Sequence, residues 1–116
     1  MRASKADVEA VYDEWAKYRT RRTILSQNRI RLIRARLKEY GAEDLRLLIR
    51  WAHESEDPQA AWLQGRNPGS RKYLDLDNLL RVGKIDARLE LAWEWKDKLK
   101  SVNVSENGDS DLWSLS

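Results

Sequence analysis

Apolar residues recur at helical spacing along this 116-residue chain, and no stretch shows the two-residue alternation of a half-buried strand. Val8, Val11, Tyr12 and Trp15 repeat at intervals of three and four, which places them on one face of a helix. Four later segments also carry apolar residues at helical spacing. Because 41% of the residues are hydrophobic, the chain can bury such faces against one another. The pattern therefore predicts an all-α fold, a compact bundle of four to five helices without a sheet.

Capping signals mark the ends of the predicted helices. Serine and aspartate side chains accept hydrogen bonds from the free amides of a first helical turn, and the candidate caps are Ser4, Ser26 and either Asp75 or Asp77. Glycine tolerates the left-handed backbone that ends many helices. On this basis we expect Gly41 to close the second helix in a left-handed conformation. The predicted helices cover residues 5–18, 27–40 and 42–54, then a short stretch after Asp75 or Asp77, and finally residues 84–99 beyond a break at Gly83.

Two segments lie outside the helical pattern. Residues 55–73 contain both prolines and the turn signal Asn67-Pro68-Gly69, which predict a long loop before the fourth helix, with one helical turn around residues 59–63. Residues 101–116 are mainly Ser, Asn, Asp and Gly, and they predict a disordered acidic tail. The Leu112-Trp113 pair in that tail is a docking peptide or an end without function. Residues 1–100 form the single predicted domain.

The charge of the chain is unevenly distributed. All 22 basic residues lie at or before Lys100, whereas three of the 19 acidic residues follow it, which leaves the first 100 residues with a net charge of +6. A basic body attracts polyanions such as nucleic acid. The chain has no cysteine, secretory signal or long apolar run, so we expect a cytoplasmic protein without a membrane partner.

The densest basic segment runs from residue 19 to residue 38 and contains no acidic residue. On a helix, Ile30, Ile33 and Leu37 fill one side and leave the basic side chains around the rest. Arginine donates two parallel hydrogen bonds to a phosphate, and Ser26 opens a helix whose free amides also suit a phosphate. The basic residues of the segment are Arg19, Arg21, Arg22, Arg29, Arg31, Arg34, Arg36 and Lys38.

Two interpretations of this segment remain open. The arginines bind nucleic acid, or they are solvated charges that pair with acids such as Glu43, Asp44 or Glu54 on neighbouring helices. A second basic group, Arg66 with Arg71 and Lys72, flanks the turn in the long loop and would extend the first surface if the loop folded beside it.

The six tryptophans also have two possible uses, because an exposed indole stacks on unpaired bases whereas a buried one supplies core volume. Trp15 and Trp93 fit the apolar stripes of their helices and are predicted to be core residues. Trp51, Trp62 and Trp95 lie off those stripes, so they are expected either to stack in solvent or to cover the rim of the core.

Nothing in the sequence indicates catalysis. His53 is the single histidine and has no cysteine or second histidine with which to bind a metal, and Asp75 and Asp77 are better explained as helix caps. We therefore expect a protein that is not an enzyme and needs no metal or other cofactor. A standard helix-turn-helix is disfavoured because Glu43 and Asp44 open the third helix, where they would repel phosphates.

Two elements of the chain resemble the C-terminal domain of phage and prophage replication initiation proteins. The first is the run from Arg29 to Leu37 followed by Tyr40-Gly41 and Glu43-Asp44-Leu45. The second is Gly65-Arg66-Asn67 followed by residues 71–81, which is similar to the terminal segment of DnaD-like replisome organisers. The resemblance as a whole covers about residues 8–90.

This resemblance implies DNA binding, recruitment of the replicative helicase to an origin, and a bacterial host cell. At the matched positions, it implies a DNA-facing surface that includes Arg29, Arg34, Arg36, Arg71, Lys72 and Tyr73. We therefore expect a DNA-binding accessory domain of phage replication. The strandedness of the DNA stays open, and so does binding to RNA. The alternative is a protein-interaction adaptor or a phage inhibitor of a host factor, whose basic surface meets an acidic protein.

Overall fold

The computed structural model describes the backbone of residues 4–112 and the side chains of residues 4–100. Every regular element in this range is helical, which confirms the predicted all-α fold. Six helices are present instead of four or five, because the turn predicted around residues 59–63 is a helix of its own. The elements are α1 (Lys5–Ala16), α2 (Gln27–Leu37), α3 (Ala42–Glu54), α4 (Pro58–Leu63), α5 (Leu76–Leu79) and α6 (Ile85–Leu112).

The predicted caps open three of these helices. Ser4 Oγ accepts a hydrogen bond from the amide of Asp7 at 3.0 Å, and Ser26 Oγ accepts one from the amide of Arg29 at 3.3 Å. Asp75, and not Asp77, caps α5 by accepting from the amide of Asn78. Local chemistry therefore fixes where the chain enters these helices.

The prediction of a left-handed Gly41 is wrong. Its φ of −71° and ψ of 155° are extended, and it is the N-cap residue of α3. The reason is that α2 already ends at Leu37 and the chain turns over the next residues, where the amide of Tyr40 bonds back to the carbonyl of Arg36. Within the described range, positive φ occurs instead at Gly65 (110°) and Ser70 (50°), both in the loop between α4 and α5.

The last helix begins at Ile85 as predicted but continues beyond Leu99 to Leu112. Two predictions concern residues whose side chains the structure does not describe. They are the disordered tail over residues 101–116 and the docking-peptide interpretation of Trp113. For residues 101–112 the structure describes the backbone alone.

Helix α3 forms the centre of the core. It packs against α1, α4 and α6, and its Leu45, Leu48, Ile49 and Trp51 are completely buried. Trp51 therefore belongs to the core proper, although its position off the main stripe left a rim or solvent role open.

No helix in the described part of the chain combines the length and apolar character needed to cross a membrane.

Only one of the two tryptophans that were predicted to be core residues is buried. Trp15 is buried, which confirms its prediction, but Trp93 is 44% exposed, so that prediction is wrong. The buried stripe of α6 runs through Ile85, Leu89 and Ala92, and Trp93 lies at its margin. There its indole N–H donates a hydrogen bond to Asp44 Oδ1 at 3.2 Å, which ties α6 to the start of α3.

A buried carboxylate joins α1 to α3. Glu14 is only 3% exposed, and its oxygens lie 2.6 Å from Lys17 Nζ and 3.3 Å from both Arg46 Nε and Arg50 Nη2. Burial alone would raise the pKa of Glu14, but the hydrogen bonds and positive charges of Lys17 and Arg50 outweigh it and hold this pKa below its ordinary 4.5. The cluster pairs three basic side chains with one buried carboxylate.

Candidate nucleic-acid interface

Helix α2 and its C-cap residue Lys38 present three basic side chains to solvent. Arg31, Arg34 and Lys38 are spaced at i, i+3 and i+7, so they lie on one helical face, and all three are exposed. The single hydrogen bond to their side chains within residues 4–100 is a weak one, from Arg31 Nη1 to Asn28 Oδ1 at 3.4 Å. This face is free to meet a ligand.

The other two arginines of α2 are engaged by the fold. Arg29 Nη1 donates to the carbonyl of Ile24 at 2.7 Å, and its guanidinium lies 4.7 Å from the ring centroid of Trp15. Arg36 Nε donates to the carbonyl of Leu80 at 2.8 Å, at the end of α5. Both side chains flank the stripe that carries buried Ile33, so their main contacts are with this chain.

Arg19 lines a cleft and is held there by aromatic neighbours. Its guanidinium lies 4.6 Å from the centroid of Trp15, and it also contacts His53 Nε2. His53 Nδ1 lies 2.8 Å from the carbonyl of Ile49, an acceptor, so Nδ1 carries the proton and Nε2 accepts from Arg19. The imidazole is stacked on the ring of Tyr18, with 4.1 Å between centroids.

Burial is the main cause of a lowered pKa at both Arg19 and His53. It lowers the pKa of His53 to about 4, with a further contribution from the charge of Arg19, so the imidazole is neutral at physiological pH. It also lowers the pKa of Arg19, and the charge of Arg29 adds to this effect. An anion bound here would offset the repulsion between the charges of Arg19 and Arg29.

The cleft beside Arg19 has a volume of about 600 Å³, and three residues of the predicted site, Arg19, Arg21 and Lys72, line it. Arg21 and Lys72 stand at its edge, and both are exposed. Thr20 contributes a hydroxyl, and Asp75 is the one acidic residue that lines it. The space is sufficient for a phosphate and its attached sugar.

The second basic group lies on a loop with fixed geometry. Asn67 Nδ2 donates to the carbonyls of Trp62 (2.8 Å) and Arg71 (2.7 Å), and Asn67 Oδ1 accepts from the amide of Arg71 at 3.1 Å. Arg66, Arg71 and Lys72 are all exposed. Through Lys72, the loop lines the same cleft as Arg19 and Arg21, so the two basic groups meet at the segment before α2.

Tyr73 faces an aromatic neighbour. Its ring is stacked on that of Trp62, with centroids 4.8 Å apart and planes within 10°. Trp62 was not among the predicted site residues. Its position offered a signal, since it interrupts the small and apolar Ala60, Ala61 and Leu63 on a helix of only six residues and those three are the buried ones.

None of the eleven basic residues of the predicted site forms an ion pair with a carboxylate within residues 4–100. The acids considered as their partners have other contacts. Glu43 pairs with Arg46, Asp44 accepts from Trp93, and Glu54 accepts from Tyr18. The eight exposed members are Arg21, Arg22, Arg31, Arg34, Lys38, Arg66, Arg71 and Lys72.

Comparison with known proteins does not add to this description: no family model, no curated protein and no solved structure matches the chain. In the described range, no three histidine, aspartate or glutamate side chains are grouped closely enough to hold a metal ion. The similarity to replication initiation proteins stays a prediction.

Proposed function

We propose that this chain is a DNA-binding accessory domain of phage replication, not an enzyme, that grips the phosphate backbone through its exposed arginines and lysines. The observation that carries the proposal is the absence of ion pairs at the basic residues of the site within the described range, in a chain that neutralises Lys17, Arg46 and Arg50 at Glu14. The role in replication and in helicase recruitment rests on the resemblance of residues 8–90.

The arrangement favours contacts with phosphates over the reading of bases. Arg31, Arg34 and Lys38 project from one face of α2, and Arg21 and Lys72 stand at the edge of the cleft. Such cations displace the counterions of DNA when they bind, so affinity is expected to fall steeply as salt rises. Arginine also donates to a phosphate with two nitrogens, which fixes the orientation of the complex.

A pair of charge-matched double variants tests this proposal. Arg31→Glu with Arg34→Glu reverses two charges on the outward face of α2, whereas Lys96→Glu with Lys98→Glu makes the same change at exposed positions of α6. Electrophoretic shift assays across a salt series should show a loss of affinity of at least about tenfold for the first variant, and a much smaller loss for the second.

Far-UV circular dichroism and urea unfolding should show that both variants keep the wild-type fold, since all four side chains are exposed. Equal losses in the two variants would mean that net charge alone attracts DNA and that α2 is not the binding face. The wild-type protein could instead show no DNA binding at low salt and retain a protein from nuclease-treated lysate. That result would refute DNA binding and support the adaptor function.

A further inference from the structure

Trp62, near the end of α4, is exposed and stacks on the half-buried Tyr73 of the loop that carries the second basic group. We propose that Trp62 is a stacking platform for an unpaired base, and that the preferred ligand is therefore single-stranded DNA. This inference rests on the proposed function, because it names the form of nucleic acid that the domain holds.

Trp62 is 46% exposed, although its neighbours on α4 are buried. One face of its indole is covered by Tyr73, whose ring is nearly parallel at 4.8 Å, so the opposite face is where a further ring would stack. Every base has such a ring, and stacking on an aromatic side chain does not depend on sequence. A base inside a duplex is already covered on both faces, so it cannot reach the indole unless it leaves the helix.

The backbone around the platform is fixed before any ligand arrives. The amide of Tyr73 donates to the carbonyl of Leu63 at 2.8 Å, which aligns the two chain segments that carry the rings. Gly65 adopts a φ of 110° that other residues avoid, and a Cβ there would come within 3.3 Å of Lys72 Cγ. A preformed platform loses little conformational entropy on binding.

Charge favours a nucleic acid over an apolar partner at this surface. Arg66, Arg71 and Lys72 lie within ten residues of Trp62, on the loop that follows α4, and none of them has a carboxylate partner within residues 4–100. Trp93 provides the contrast. It is 44% exposed as well, but its indole N–H is hydrogen-bonded to Asp44, an acid that would repel phosphates.

Three single variants test the inference by fluorescence anisotropy with a labelled oligothymidine and a labelled hairpin duplex of equal charge. Trp62→Ala should weaken oligothymidine binding by about five- to a hundredfold, the usual effect of removing one stacked ring, and should leave duplex binding nearly unchanged. Trp62→Phe should restore most of the affinity because it restores an aromatic face. Trp93→Ala is the matched control and should bind both ligands as the wild type does.

The outcomes separate the platform from the proposed function. If the wild type binds oligothymidine and Trp62→Ala binds it equally well, the proposal that Trp62 stacks on a base is wrong, whereas the proposed DNA binding by the basic surface is retained. Parallel losses for both ligands in Trp62→Ala, with no rescue in Trp62→Phe, would show that Trp62 merely supports the loop. If the wild type binds neither ligand, both proposals fail.

Discussion

Truncation of two arginines on α2 separates the part of the basic segment that holds the fold from the part that faces a ligand. Arg29→Ala is expected to destabilise the domain, whereas Arg34→Ala is expected to leave stability unchanged. The two residues lie five positions apart on one helix and carry the same charge. A difference between them must therefore come from their contacts.

The size of the effect follows from those contacts. Arg29→Ala removes a hydrogen bond from a charged donor to the carbonyl of Ile24, an interaction worth about 1.5–3 kcal/mol. It also loses a guanidinium placed over Trp15, worth about 0.5–1 kcal/mol. Because Arg29 is only half-buried, the lower ends apply, and the expected loss is about 2 kcal/mol. Arg34 is exposed, and its loss should stay within about 0.5 kcal/mol.

Urea unfolding followed by far-UV circular dichroism measures both values. The midpoint should fall in Arg29→Ala with an unchanged slope, and it should stay at the wild-type position in Arg34→Ala. Binding gives the complementary result, because Arg34→Ala should reduce the salt dependence of log affinity by about 0.9 for duplex or about 0.7 for single strands. Equal destabilisation by both truncations, or a neutral Arg29→Ala, would contradict this division of α2.

Two further predictions concern the titratable groups of the fold. Glu14→Gln should cost about 2–3 kcal/mol near neutral pH, because it leaves three clustered cations without their anion. The wild-type advantage is present above pH 4.5, the ordinary pKa, and should disappear as pH falls through the lowered one, which urea titrations across pH would reveal. His53 has a pKa lowered from 6.5 to about 4, chiefly by burial, so the unfolded chain binds its proton first and stability should decline as pH falls between these values. His53→Gln should flatten that part of the pH profile; an NMR titration placing the imidazole pKa near 6.5 would refute the buried neutral form.

The helix positions were accessible from sequence because local groups determine them. Ser4, Ser26 and Asp75 accept from amides three residues ahead, so a short window of sequence contains the whole interaction. The conformation of Gly41 was not accessible in the same way. It depends on how early α2 ends and on the turn that follows, and a glycine permits both the extended and the left-handed backbone.

Which arginines of the basic segment the fold engages depends in part on partners that are distant in sequence. Arg36 donates to the carbonyl of Leu80, 44 residues away, and Arg19 reaches the carbonyl of Leu74, 55 residues away. A helical projection separates the charged face from the apolar stripe, but it does not show which flanking arginine meets a free carbonyl. The same limit applies to Trp62, whose exposure follows from the way α4 packs on α3.

The free basic surface is a consequence of where the fold uses its acids. Glu14 gathers three cations at the junction of α1 and α3, Glu43 contacts one of the same arginines, and Asp44 and Glu54 accept from aromatic side chains. Residues 19–38 contain no acid of their own, so any neutralisation must come from elsewhere in the chain. Within the basic segment, Arg29 and Arg36 are satisfied by backbone carbonyls, which offer a dipole but no charge. Their positive charge therefore persists and adds to the potential of the exposed residues, so that even the structural arginines strengthen the attraction for a polyanion.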